Sequence, residues 1–249
     1  MLKVEHLSKS FGGVAATRDV SLDFATGSLS AVIGPNGAGK TTLFNLITGH
    51  LRPDAGRILL GGEDIVGRKP ADIVRLGLGR AFQVASIFPT LTVLEAMTSA
   101  VLSHRGEAAT MWRRFPTAAA QQRAEELLEI IGLSGVARVL SRNLSHGDQK
   151  LLDIGLALAL EPKVLLLDEP TAGMGPEERW QMIDRVQALW RRGGMTLVFI
   201  EHDMDIVFKI AQTVRVLRYG AVLAEGTPDE IRRNEAVIDA YLGRAEAHA

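Results

Sequence analysis

The stretch Gly34-Pro-Asn-Gly-Ala-Gly39-Lys40-Thr41 constrains what this chain can fold into more than any other. It satisfies the phosphate-binding-loop pattern G-x-x-x-x-G-K-[S/T], and it stands between the apolar run Leu29 to Ile33 and a helical pattern that opens at Lys40. Such a loop works when a buried strand delivers it and a helix follows, so the motif predicts an α/β layer structure with a mainly parallel sheet. Gly34, Gly37 and Gly39 let the backbone turn its N–H groups toward phosphate oxygens, and the positive end of the next helix adds to that field. Lys40 then neutralises the terminal phosphates, and the Thr41 hydroxyl is offered to Mg²⁺. A glycine-rich turn carrying a surface lysine is the plain alternative.

The rest of the chain fits the same layered plan. Val164 to Leu167 and Thr196 to Ile200 are compact apolar runs followed by polar residues, as expected of buried parallel strands with a site at their C-terminal ends. Leu2 to Leu7, Val20 to Phe24 and Arg57 to Leu60 read as strands with little room for crossover helices, which predicts an N-terminal antiparallel β patch. From Val84 to Leu160 helical periodicity dominates, with Ala124, Leu127, Leu128 and Ile131 on one face. The expected organisation is therefore a core of residues 1–83 and 161–249 with an inserted helical lobe at 84–160. Thr92 with Glu95 and Thr227 with Glu230 have capping spacing, and Pro176 to Arg192 begins acidic, ends basic and stops at Gly193-Gly194. His104 to Thr117 lacks a clear period and reads as loop, and the tail from Arg244 is expected to fray.

Composition removes several classes of function. With no cysteine, disulfides, zinc thiolates and thiol nucleophiles are excluded, and a reducing compartment, the cytoplasm, is the expected location. A formal charge of -1 points to no nucleic-acid partner and no polybasic membrane anchor. Met1 to Gly12 does not read as a signal peptide. The longest apolar stretch, Leu151 to Leu167, is broken by Asp153, Glu161, Pro162 and Lys163, short of the roughly 18 residues a spanning helix needs.

Asp168 and Glu169 close the run Val164 to Leu167, and a buried carboxylate without a partner is costly enough to require a role. Asp168 suits the Mg²⁺ shell, and Glu169, turned the other way at the last strand position, suits the activation of water. Capping of the next segment is the structural alternative for both. Leu144-Ser145-His146-Gly147-Asp148 opens an apolar helix, where Ser145 and Asp148 have capping-box spacing; the same start is an anion site that can grip a γ-phosphate through the Ser145 hydroxyl and the Gly147 N–H. Gln83 and His202 each follow a short apolar stretch and, taken alone, read as ordinary polar side chains.

In this order, the loop, Gln83, the Ser145 helix start, the Asp168-Glu169 pair and His202 resemble the ATPases of ABC transporters from Phe11 to the C-terminal helix. The resemblance implies a P-loop NTPase that binds ATP and Mg²⁺. Its nucleotide contacts would be Phe11 on adenine, then Gly34, Asn36, Gly37, Ala38, Gly39, Lys40, Thr41 and Thr42, with Ser145 and Gly147 completing a partner's site. It further implies Glu169, His202 and Gln83 as catalytic residues and Thr41, Gln83 and Asp168 as metal contacts. Phe11 stays open between stacking and core packing. The implied partners are a second ABC ATPase, identical or related, two integral membrane permeases on which the chain sits at the inner membrane face, and indirectly an extracytoplasmic solute-binding protein. Ile87, Phe88, Pro89 and Leu91 are the expected permease-facing residues, with a helix-entry staple as the other reading.

Two departures narrow the resemblance. The family's Leu-Ser-Gly-Gly-Gln reads Leu144-Ser145-His146-Gly147-Asp148, and Gly175 stands where an Asp is usual after the acidic pair. Together with Phe11-Gly12-Gly13-Val14, Ala172-Gly173-Met174 and Glu201-His202-Asp203-Met204, these resemble ATPases of branched-chain amino-acid, amide and urea importers. The rival readings are a non-transport ABC ATPase acting on the ribosome or DNA, and a nucleotide-dependent regulatory module. A kinase or GTPase is disfavoured, because nothing marks an acceptor pocket or an Asn-Lys-x-Asp guanine reader.

Overall fold

The computed structural model describes residues 1–81, 88–105 and 117–242. Strands β1 (Leu2–Phe11) and β2 (Val14–Phe24) form a hairpin, β3 (Leu29–Ile33) enters the phosphate-binding loop, and α1 (Lys40–Ile47) leaves it. Then follow β4 (Ala55–Leu60), β5 (Glu63–Asp64), α2 (Pro70–Arg75) and β6 (Leu78–Ala81). Three helices come next, α3 (Val93–His104), α4 (Ala118–Ile131) and α5 (His146–Leu158). The chain returns through β7 (Val164–Asp168), α6 (Pro176–Gly193), β8 (Thr196–Ile200) and α7 (Met204–Ile210). It continues through β9 (Thr213–Arg218), β10 (Ala221–Gly226), α8 (Pro228–Arg233) and α9 (Glu235–Leu242).

Two sheets result. The antiparallel one has the order β2-β1-β4-β5, and the larger one runs β10-β9-β3-β8-β7-β6, parallel except for the β9–β10 hairpin. The antiparallel patch is thus present, with its first two strands longer than the sequence pattern suggested because the Phe11–Val14 turn keeps them paired to their ends. In the parallel sheet the pairings Val32↔Ile200, Asp168↔Ile200 and Ala81↔Leu167 align the C-terminal ends of four strands. Residues 34, 169 and 201 therefore emerge at one rim, which is what brings distant parts of the sequence into one site.

Strand alternation splits the core between two faces. Leu29, Ala31, Ile33, Leu165, Leu167, Leu197 and Phe199 join one apolar cluster with α3 to α7. Val32, Val164, Leu166, Val198 and Ile200 join the other with α1, α2 and the antiparallel sheet. The three-helix stretch has no separate core; its Met97, Leu127, Ile131 and Leu152 belong to the first cluster.

Helix ends follow their sequence cues. Thr92 and Thr227 complete reciprocal capping boxes with Glu95 and Glu230. Gly194 ends α6 in the left-handed conformation. The Ser145–Asp148 pair makes half a box: the Ser145 hydroxyl accepts from the Asp148 N–H at 3.1 Å, without the return bond. The segment expected as loop from His104 begins later, since α3 includes His104 and Thr117 already caps α4. Ile87 and the tail from Arg244 lie outside the described residues, and Phe88 is exposed. Among the described residues no helix is long and apolar enough to cross a membrane.

Candidate functional site

The loop between β3 and α1 is shaped by glycine. Gly39 has φ +102°, and a Cβ there would lie 2.2 Å from the Ala16 carbonyl oxygen, so no other residue fits without moving β2. The β9–β10 turn braces the loop from outside, the Gly220 N–H donating to Ala38 O at 3.1 Å. Lys40 is buried, and its ammonium donates to the carbonyls of Gly34 at 2.7 Å and Pro35 at 3.2 Å, which aims it along the inner face of the loop. Asn36, Gly37 and Thr41 are exposed, while Ala38 is buried and Thr42 half-buried. Pro35, Asn36, Gly37 and Ala38 line a hollow of about 150 Å³ with Arg218, Tyr219 and Ala240. Larger hollows flank α4, but none of the residues reasoned above to carry chemistry lines them.

Asp168 ends β7 and is 3% exposed. Its Oδ2 accepts from Arg80 Nη2 at 2.7 Å, and its Oδ1 is buried with no hydrogen-bond partner. Arg80, reaching up from β6, also donates to Asn45 Oδ1 on α1 at 2.7 Å, so one guanidinium ties Asp168 to the helix that follows the loop. Glu169 lies just beyond the strand, not on it. Its φ of +51° is unusual for a residue with a side chain, and it turns the carboxylate to His202, whose Nε2 lies 2.8 Å from Glu169 Oε1. The next residues are anchored by buried Glu201, which accepts from the Thr171 N–H at 3.0 Å and the Thr171 hydroxyl at 2.6 Å.

Ser145 and His146 are exposed at the start of α5 and Gly147 is half-buried. Ser145, Gly147 and Asp148 line a different hollow, with Met174 and Glu178, that shares no residue with the one at the phosphate-binding loop. The Ser145 helix start faces the Gly173-Met174 turn that follows the acidic pair. A Cβ on Gly173 (φ +79°) would come 3.2 Å from His146 Nε2, and one on Gly147 would come 3.8 Å from the Met174 methyl. Phe11 is 46% exposed at the end of β1, with the Lys9 ammonium 5.6 Å from its ring centre. That exposure disfavours core packing and leaves the ring open for stacking. Gln83 lies outside the described residues.

A family profile described as "ABC transporter" matches residues 17–172. The chain belongs to the ABC transporter ATPases. A second profile, "Branched-chain amino acid ATP-binding cassette transporter", matches residues 221–247 of this ABC ATPase. The high-affinity branched-chain amino acid transport ATP-binding protein LivG of Escherichia coli K12 is 38% identical to it, with 98% of each chain covered. BraF of Pseudomonas aeruginosa, of the same description, is 37% identical at the same coverage. Among solved structures, a nucleotide-free ATP-binding cassette from an ABC transporter superposes with a TM-score of 0.84 at 30% identity, covering 97% of this chain and 98% of that one. A cassette in its ADP conformation superposes with 0.85 at 30% identity, covering 98% of both. The ABC ATPase fold, nucleotide binding and ATP hydrolysis are thereby established for this chain.

Three residues of this ABC ATPase next to the site escaped sequence reasoning. Arg80 left a faint signal, a charge inside a short strand. Lys150, on the apolar side of α5, is 4% exposed and donates to the Glu169 carbonyl at 2.7 Å. Burial pushes its pKa down, opposed by the carboxylates of Glu201, Glu169, Asp168 and Asp153. Tyr241 on α9 is hydrogen-bonded by the Gly34 backbone, and burial raises its hydroxyl to about 12. No periodicity announces that the last helix reaches the phosphate-binding loop.

Proposed function

We propose that this ATPase drives an importer of branched-chain amino acids or a related small polar solute. It works as one of a pair of ATP-binding subunits beneath two permeases, at the inner membrane face. The solute class rests on the likeness to LivG and BraF and on the C-terminal match at 221–247. The chemistry rests on one observation, the Glu169 carboxylate turned out of the strand and held 2.8 Å from His202 beside Asp168.

Lys40 and the loop N–H groups of residues 37–42 bind and orient the phosphates. Glu169 accepts a proton from the water that attacks the γ-phosphorus as the bond to the β-phosphate oxygen breaks, leaving ADP and inorganic phosphate. His202, hydrogen-bonded to Glu169, orients that carboxylate and senses the γ-phosphate, a role Gln83 shares from the permease side. The unpartnered buried Oδ1 of Asp168, together with the Thr41 hydroxyl, suits a hydrated Mg²⁺ of hard oxygen ligands. Bound there, the ion spreads the charge of the phosphates. Because Ser145 and Gly147 line a hollow apart from the loop of their own chain, they grip the ATP of the partner subunit. ATP then bridges the pair, and hydrolysis releases it. The helical lobe 84–160 passes that motion to the permeases.

Glu169→Gln tests this reading. The variant is expected to bind Mg-ATP normally, to hydrolyse it at least about a hundredfold more slowly, and to accumulate as an ATP-dependent dimer on size exclusion. Undiminished hydrolysis removes Glu169 as base. Pull-down from solubilised membranes, followed by ATPase measurement with leucine, isoleucine and valine, tests the solute class; absence of permeases from the eluate rejects the importer.

A further inference from the structure

Lys150 is a buried amine that the hydrolytic chemistry leaves without a part. It sits on α5 five residues after Ser145, about 7.5 Å along the helix axis. Its target, the Glu169 carbonyl, belongs to a peptide in left-handed backbone, a conformation that persists only when its surroundings over-determine it. Three groups of Glu169 are held by three different places in the fold. Its N–H donates to Ile200 O of β8 at 3.1 Å, its carboxylate meets His202 at 2.8 Å, and its carbonyl takes the Lys150 ammonium at 2.7 Å. The last of these crosses from the rim of the sheet to the helix that carries Ser145. The packing of His146 over Gly173 and of Met174 over Gly147 joins the same two segments a second time.

We propose that Lys150 is a positioning residue that locks the Glu169 peptide to the Ser145 end of α5 within one subunit, so that ATP gripped at Ser145 in one site of the closed pair sets the general base of the other site. This coupling rests on the paired-subunit reading above. A shift of α5 upon gripping a γ-phosphate moves the Lys150 ammonium, and the peptide whose carbonyl it holds turns the Glu169 carboxylate with it. An unbranched apolar side chain such as Met fills most of the same space but has no donor for the carbonyl and transmits nothing to it.

The test uses the complex purified from membranes on a tag carried by this chain, with Mg-ATP as ligand. Lys150→Met is expected to lower kcat about tenfold while KM for ATP stays within about twofold, and to bring the Hill coefficient toward one. Lys150→Arg, which keeps the donor, is expected to recover most of kcat and the cooperativity. Lys150→Met added to Glu169→Gln is expected to leave ATP-driven dimerisation intact. Wild-type kcat and cooperativity in Lys150→Met overturn the proposal, as does an equal loss in the Met and Arg variants with a lowered melting temperature. Failure of Glu169→Gln alone to dimerise on ATP sinks the paired-subunit reading itself and is seen without any Lys150 variant. If Lys150→Met does not fold, Lys150→Leu, which also lacks a donor, carries the same comparison.

Discussion

At the residue scale, the site depends on a few polar groups whose burial makes their partners obligatory. Arg80 and Asp168 are 6% and 2% exposed in their side chains, and their bond at 2.7 Å joins β6 to β7 at the rim of the sheet. Removing one member of such a pair strands the other charge in a poorly solvated place, which costs more than the pair contributes. Arg80→Met is therefore expected to lower unfolding free energy by about 3 kcal/mol in urea titration, and to reduce hydrolysis through a displaced Asp168. A stability within error of the wild type would mean that solvent reaches Asp168 freely. Glu169 contrasts with its neighbour: one residue beyond the strand, it is turned by its left-handed backbone toward solvent and His202. Two adjacent acids acquire different environments from a single change of backbone conformation.

At the element scale, helix starts carry both stability and chemistry. On α3 the Thr92 backbone N–H and hydroxyl both donate to the Glu95 carboxylate and hold its pKa below the ordinary 4.5. The folded value being depressed, this contribution is present above the unfolded pKa of 4.5 and is lost as pH falls through the folded value. Thr92→Ala is expected to cost about 1 kcal/mol at neutral pH. The gap between variant and wild type should narrow as pH drops well below 4.5, where the hydroxyl's bond to the Glu95 carboxylate is lost, and should keep the part owed to the hydroxyl accepting from the Glu95 N–H at 3.2 Å, which does not titrate; a gap unchanged by acid would show that the hydroxyl gains nothing from the carboxylate. Thr227 and Glu230 repeat the arrangement at α8. The α5 start differs: Ser145 uses its hydroxyl lone pair for the Asp148 N–H, while its exposed side leaves the hydroxyl able to donate to a phosphate. Under the proposed function, one serine serves cap and ligand site together.

At the scale of the whole molecule, the parallel sheet gathers the chemistry and the two apolar clusters make it rigid. Because β3, β7 and β8 end in register, residues separated by more than a hundred positions meet at one rim without any long loop. Such a site binds the folded chain and not the unfolded one, so ligand stabilises by mass action. Mg-ATP at a hundred times its Kd is expected to add about 2.7 kcal/mol to the Glu169→Gln protein, read as a rise in melting temperature. Chelating the metal with EDTA is expected to shrink that rise. An unchanged melting temperature with Mg-ATP would show that the loop does not hold nucleotide.

Much of this was legible in the chain itself. The glycine pattern, the apolar runs of five residues and the capping spacings are local, and local sterics and periodicity decide them, so the loop, the core strands and the helix starts follow from sequence. What the sequence left open lies where residues far apart in the chain meet. The pairing of Arg80 with Asp168, of Lys150 with the Glu169 carbonyl and of Tyr241 with Gly34 depends on strand register and helix docking, which no short window of residues contains. The separation of the Ser145 hollow from the phosphate-binding loop belongs to the same class. Sequence determined which groups this protein carries and the elements that bear them; only the packed sheet decided which groups touch, because contact is a property of register and not of order along the chain.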